Sequence, residues 1–354
     1  MELPKEIIDR IQDEIIPSID KKTLSDNLLH LVYEQHWFNL WVPKEYGGLG
    51  YGLEEGCKLL EELAYVDGGF GWTVTLCSGA NMFAGFLDPD LATTLFQKPN
   101  VCWGGSGKPS GKAERVEDGY LITGYWQYAT GAPHLTHFTL NAWVYENGSP
   151  AVDEKGEPIY QSFFVDRDDV LVHYDWDTFG LACTASHSFS VQQLFVPANR
   201  AFTIAPAART HASKLFEIPF MPFAACTLAV NYIGMFRRFL DLLERQLMVK
   251  AQDPGRDGPQ LKRILRALDQ ARLAIEERSA RLYALMALVW KNDAVDASLV
   301  DEIDTVSRDC VALGKAAIVE LFPYGGIAAA QWDNALNIVF RHFFTATQHN
   351  LLQR

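Results

Sequence analysis

The hydrophobic period of this chain changes twice, and those two changes limit its possible folds more than any other feature of its 354 residues. Up to about residue 98, apolar side chains recur every three or four positions. Ile7, Ile8, Ile11 and Ile15 form one run, and Leu53, Cys57, Leu60 and Leu63 another. That spacing lines one face of a helix. Between the runs, VPKEYGGLGYG (residues 42–52) contains Gly47 and Gly48, which break helix and strand alike, so a turn is expected there. Near Val101 the text switches to alternation: GYLITGYW, HFTLNAWVY, SFFVDRDDVLVHY and HSFSVQQLFVP, parted by turn clusters such as ENGSP and DEKGEP. Two-residue alternation rich in aromatic and β-branched side chains predicts strands. From about Phe220 the helical period returns, with Leu261, Leu265, Leu268, Ile275, Leu282, Met286 and Val289 in one stripe. A turn is expected at DPGRDGP (253–259), a helix over roughly 301–322, and a last helix from about 331 to the end.

Charge narrows the partners. Acidic side chains outnumber basic ones 44 to 31, for a net charge of -13. Such a surface repels phosphate backbones and anionic lipid, so neither nucleic acid nor membrane is an expected partner. The first residues, MELPKEIIDRIQDEII, are acidic and amphipathic, unlike a secretory leader. No stretch approaches the roughly 20 apolar residues that cross a bilayer. Six cysteines are scattered without metal or redox spacing, so no metal and a reduced, cytoplasmic compartment are expected.

Four segments, in order, carry a family resemblance. LWVPKEYGGLG followed by LLEELAYVDGGFGWTVTLCSG resembles the N-terminal helical domain of acyl-CoA dehydrogenases. EDGYLITGYWQYATGAPH resembles their β-domain signature, and WDTFGLACTASHSFSVQQLFVPANR the stretch that follows it. Helices of the right number and length come after. The resemblance spans nearly the whole chain. It implies an α+β multi-domain fold: an N-terminal helical domain (1–98), a central β-barrel-like domain (99–208) and a C-terminal four-helix bundle (209–354). It also implies a flavin cofactor and a homotetramer or homodimer. A flavin ring is flat and apolar with a hydrogen-bonding rim, and needs aromatic faces with a few hydroxyl or backbone donors. By resemblance Trp126, Tyr128, Thr130, Gly131, Thr184 and Ser186 supply them.

The chemistry implied is closer to oxygenation than to dehydrogenation. An acyl-CoA dehydrogenase needs a carboxylate base. The family places it near the C-terminus, where this chain reads TATQH, with no acid anywhere in 334–354; or early in the C-terminal domain, where it has Ala224. The pattern Trp126, Tyr128, Thr130, Gly131, His134 and the segment PSGKAERVEDGY resemble instead the two-component flavin monooxygenases of this fold. That branch implies reduced FAD or FMN, bound transiently, with a separate flavin reductase and a small organic, possibly aromatic, substrate. The dehydrogenase segment Arg-x-x-x-Phe-Gly is not evident around 245–258, in keeping with transient flavin. His349 and His134 are the candidates for acid–base work near neutral pH. His342 departs from the pattern, standing where an Asp usually follows the Arg. Two other readings stay open here: a dehydrogenase-like enzyme with FAD and an atypical base, and a catalytically silent binding protein.

Overall fold

The structure is a computed structural model that describes residues 3–252, 258–292 and 295–353. Among the described residues, six α-helices come first: α1 (Lys5–Asp13), α2 (Ile15–Lys21), α3 (Asp26–Glu34), α4 (Leu53–Val66), α5 (Gly68–Asn81) and α6 (Pro89–Phe96). Local caps set several boundaries: Ser25, Asp67 and Asp88 each accept a backbone N–H in the first turn of the helix that follows. The turn expected at 42–52 is present. Gly47 has φ +87°, and a Cβ on Gly48 would stand 2.1 Å from the Val42 carbonyl oxygen, so the chain closes there only with glycine.

Eight strands follow: β1 (Trp103–Val116), β2 (Gly119–Ala129), β3 (His137–Glu146), β4 (Ser149–Pro150), β5 (Tyr160–Asp166), β6 (Leu171–Val172), β7 (His187–Pro197) and β8 (Ala201–Phe202). They pair in the order β6-β7-β2-β1-β3-β5-β8, with β4 beside β3. The path is open, a sheet with two short edge strands rather than a closed ring. All pairings are antiparallel except that of β1 with β3. After β2 the chain therefore arches over the start of β1 before running along its other side. Thr136 pins that arch: its N–H donates to the Cys102 carbonyl at 2.7 Å, and its hydroxyl oxygen accepts the Cys102 N–H at 3.1 Å.

Among the described residues, four α-helices follow the sheet: α7 (Phe220–Lys250), α8 (Pro259–Lys291), α9 (Ala297–Leu321) and α10 (Ala335–Ala346). Most of the turn expected at 253–259 lies outside the described residues; Pro259 opens α8, where its missing N–H costs no helical bond. The α8 stripe turns inward at Leu268, Ile275, Leu282, Met286 and Val289. Buried Glu61 on α4 bonds Arg237 of α7 and accepts from the Tyr283 hydroxyl of α8 at 2.8 Å, tying the first and last parts together. The last helix is shorter than the periodicity predicts. It stops at Ala346, whose carbonyl accepts the buried Tyr232 hydroxyl at 2.6 Å, and a 3-10 turn (Asn350–Leu352) follows. Among the described residues, no helix is long and apolar enough to cross a membrane.

Candidate active site

Helix α5 is where the candidate residues meet. All of it except Leu76 and Gly79 is buried. Its glycines let neighbours approach closely: a Cβ on Gly69 would stand 2.5 Å from Cys183 Sγ, and one on Gly71 2.6 Å from the Ala64 backbone. One turn on, the Trp72 ring meets Tyr232 edge-on at 5.9 Å and His349 at 5.7 Å. Near its far end, Cys77 Sγ lies 3.6 Å from the Thr130 carbonyl oxygen.

Thr130, Gly131, Thr184 and Ser186 form one unit. The Thr130 and Ser186 hydroxyls are 2.9 Å apart, and those of Ser186 and Thr184 2.8 Å. Thr184 donates to the Leu181 carbonyl at 2.8 Å. Gly131 N–H donates to the Thr184 carbonyl at 2.8 Å, which joins the end of β2 to the 181–186 turn. Gly131 has φ +78°, and a Cβ there would stand 2.7 Å from His134 Nε2. Both the backbone conformation and the space call for glycine.

Trp126 and Tyr128 do not join this unit on equal terms. Trp126 is fully buried, stacked on Phe189 at 5.3 Å, and its indole N–H donates to the Asn141 carbonyl at 2.8 Å. Tyr128, two residues on, would share its face in a regular strand. A register shift against β7 between Trp126 and Ala129 turns it outward instead, 47% exposed, with its ring 5.2 Å from Trp176. The Trp176 indole N–H in turn donates to the Leu181 carbonyl at 3.0 Å. The row of hydroxyls beside the Tyr128–Trp176 pair fits a flavin's needs, polar contacts for a rim and aromatic surface for a ring. Thr130 contributes the open end, since among the described residues only Ser186 hydrogen-bonds its hydroxyl.

The two histidines sit differently. His134 stacks on Phe38 at 5.8 Å, and its Nε2 is buried without a hydrogen-bond partner. Cys77, Cys102 and His134 bring their ligand atoms within 4.8 Å of one another behind the Gly131 turn. A closed structural zinc site takes four protein ligands, one more than this cluster offers. Burial opposes ionisation of Cys77, while Cys102 and His134 beside it favour the thiolate and hold its pKa below the usual thiol range. His349 lies past the end of α10 rather than on it, at the surface, where its Nδ1 accepts the Leu351 N–H at 3.4 Å. The dense packing on its Trp72 side desolvates the imidazole and lowers its pKa.

Sequence reasoning missed a second pair. His342 Nδ1 accepts the Leu181 N–H at 2.8 Å, and its Nε2 lies 3.4 Å from Asp67 Oδ2; both side chains are buried. Burial raises the Asp67 pKa, but His342 and the Phe70 N–H outweigh it and keep the carboxylate ionised more readily than usual. The available signals were His342 standing in place of an acid, and Asp67 at a helix N-cap.

The chain matches the acyl-CoA dehydrogenase N-terminal domain over residues 3–87. XiaF from Streptomyces sp., solved with FADH2 and glycerol, superposes with a TM-score of 0.86 at 23% identity, covering 99% of this chain and 92% of that one. The HsaA monooxygenase from Mycobacterium tuberculosis superposes with a TM-score of 0.84 at 20% identity, over 98% and 93%. The fold is thus that of the acyl-CoA dehydrogenases. Relatives of this chain include proteins named hydroxylases and flavin-dependent monooxygenase subunits. The pigment production hydroxylase of Rhodococcus sp. is 29% identical over 69% of this chain and 65% of its own length. The M. tuberculosis oxygenase subunit HsaA is 23% identical over 65% of this chain and 58% of its own. The chain therefore aligns with somewhat less than two thirds of each of these two relatives.

Proposed function

We propose that this protein is the oxygenase component of a two-component flavin-dependent monooxygenase. It takes reduced FAD or FMN from a separate reductase and, with molecular oxygen, hydroxylates a small aromatic substrate. In this reading the three parts, divided near residues 98 and 208, close around the flavin, and the chain works in the cytoplasm as a homodimer or homotetramer. The observation that carries the proposal is the buried hydroxyl row ending at Thr130, together with the lack of an acid at either position where a dehydrogenase keeps its base. Ala224 lies in α7, and residues 334–354 contain no carboxylate. The named relatives, hydroxylases and monooxygenase subunits, support it.

Bound reduced flavin would supply the electrons that allow oxygen to deliver one atom to the substrate. The protein supplies position and proton handling. Thr130, backed by Ser186 and Thr184, would meet the flavin rim, and the Tyr128–Trp176 pair would cover its apolar surface. His349, held neutral at pH 7, takes a proton from a phenolic substrate. His134, one layer behind, supports the Gly131 turn. The test mixes anaerobic protein and chemically reduced FMN or FAD with oxygen in stopped flow. A protein-dependent flavin transient that outlives the one in buffer is expected. Oxidation indistinguishable from free flavin, together with bleaching of bound flavin by an acyl-CoA, would return the chain to the dehydrogenases.

A further inference from the structure

The hydroxyl row has a direction, and counting hydrogens fixes it. A carbonyl only accepts, so the Thr184 hydroxyl hydrogen is committed to Leu181 O. Ser186, 2.8 Å from Thr184, must then donate to it. Thr130, 2.9 Å from Ser186, must donate in turn. All three hydrogens point toward Leu181. The free end at Thr130 therefore presents lone pairs and no hydrogen.

That direction depends on where Leu181 is held. Its backbone sits at φ +56°, a left-handed conformation that a branched side chain adopts only under constraint. Its N–H donates to His342 Nδ1, so that nitrogen carries no proton and the imidazole hydrogen is on Nε2, toward Asp67. Asp67 is itself fixed: its Oδ1 accepts the Phe70 N–H at 2.8 Å as the cap of α5. Neighbouring contacts keep the segment in place. Arg341 donates to the Phe179 and Trp332 carbonyls at 2.9 and 2.8 Å, and a Cβ on Gly180 would stand 1.9 Å from the Arg341 carbonyl oxygen.

We propose that Asp67 and His342 are positioning residues that hold Leu181 so that the Thr130 end of the row is an acceptor, and that they thereby bias the site toward reduced flavin. The inference rests on the flavin site proposed above. Reduced isoalloxazine carries an N–H at N5 of its central ring, where the oxidised ring has a bare nitrogen lone pair. An acceptor at Thr130 pairs with the first and faces the second unpaired, and a mismatch of that kind separates closely related ligands.

The experiment is anaerobic equilibrium dialysis of the full chain with reduced and with oxidised FMN and FAD, read as the ratio of the two affinities. Wild type is expected to favour the reduced form. His342→Leu removes the acceptor for Leu181 and should shrink that ratio by about tenfold, the size of one hydrogen bond. His342→Asn, whose side-chain oxygen can stand near the Nδ1 position, should restore it. Thr184→Val, which breaks the row without touching His342, should shrink it as His342→Leu does, and it serves as the reading if His342→Leu does not fold. Equal loss of both affinities in His342→Leu, or an unchanged ratio in Thr184→Val, overturns the inference and leaves the flavin site standing. Failure of wild type to bind either form sinks both.

Discussion

His349 stands between water and the Trp72 ring, and that position decides its protonation. Desolvation disfavours the imidazolium, so its pKa in the folded chain lies below the ordinary value of about 6.5. Neutral imidazole is the form present at pH 7, and it is lost as pH falls through the lowered pKa. Activity should therefore show an acid limb centred below about pH 6.5. His349→Ala should remove that limb and lower turnover by about 10²–10⁴-fold while leaving flavin affinity nearly unchanged. Rate profiles of both proteins decide it; a variant that keeps rate and limb within a few-fold shows a structural histidine. Sequence patterning singled out His349 but put it on a helix. Residues 346–352 contain no glycine or proline to announce a stop. At the stop the Ala346 carbonyl accepts both the His349 N–H and the hydroxyl of Tyr232, more than a hundred residues away. The hydroxyls of Thr130, Thr184 and Ser186 were legible because the motif names them. The role of His342 was not, since the partner that explains it, Asp67, lies in a different third of the chain.

Among the elements, α5 departs most from what helix propensity favours. Gly68, Gly69 and Gly71 stand in its first turn, and each such glycine costs about 1 kcal/mol relative to alanine in a helix interior. Packing reverses that preference at Gly71. A Cβ there would stand 2.6 Å from Ala64 Cα and N, which is backbone and cannot swing aside. Overpacking of this kind costs about 1–3 kcal/mol, so it should outweigh the propensity gain. Gly71→Ala is accordingly expected to destabilise by about 1–2 kcal/mol, seen as a lower urea midpoint at unchanged slope. A raised midpoint would show that α4 and α5 can separate at small cost. The run after the Gly47–Gly48 turn made α4 legible, whereas α5 itself was covered only by the family resemblance of the segment that ends in it. Its burial on every side was not legible, because a helix covered all round has no stripe to reveal which face is inward.

For the molecule as a whole, the order helical, β-rich, helical follows from two changes of period, but the open path of the sheet does not. Its ends are two-residue strands, β6 and β8, too short to leave an alternation signal. Sensitivity to acid has a source inside that sheet. His137 is buried against Trp103 at 5.1 Å, and burial pushes its pKa down to about 4, with Asp166 opposing in part. The folded pKa is below the unfolded one, so the contribution is complete above about pH 6.5 and is lost as pH falls toward about 4. The loss is on the order of 3 kcal/mol. Urea midpoints measured from pH 7 to 4 should fall steeply for wild type and less for His137→Gln; parallel slopes would rule His137 out as the cause.

Because β1 and β3 run parallel with β2 on the far flank of β1, the segment 130–136 is a bridge that every folded copy must cross. New chain ends placed in the exposed excursion around 147–157 would leave that bridge intact, and such a circular permutant should keep its sheet. Ends placed within 130–136 would let β3 leave β1 and would separate Thr130 from the Thr136–Cys102 hydrogen bonds. Tolerance to permutation should thus be lowest across the few residues that form the hydroxyl row's open end, so the proposed flavin site and the sheet's topological closure are inherited, or lost, as one feature.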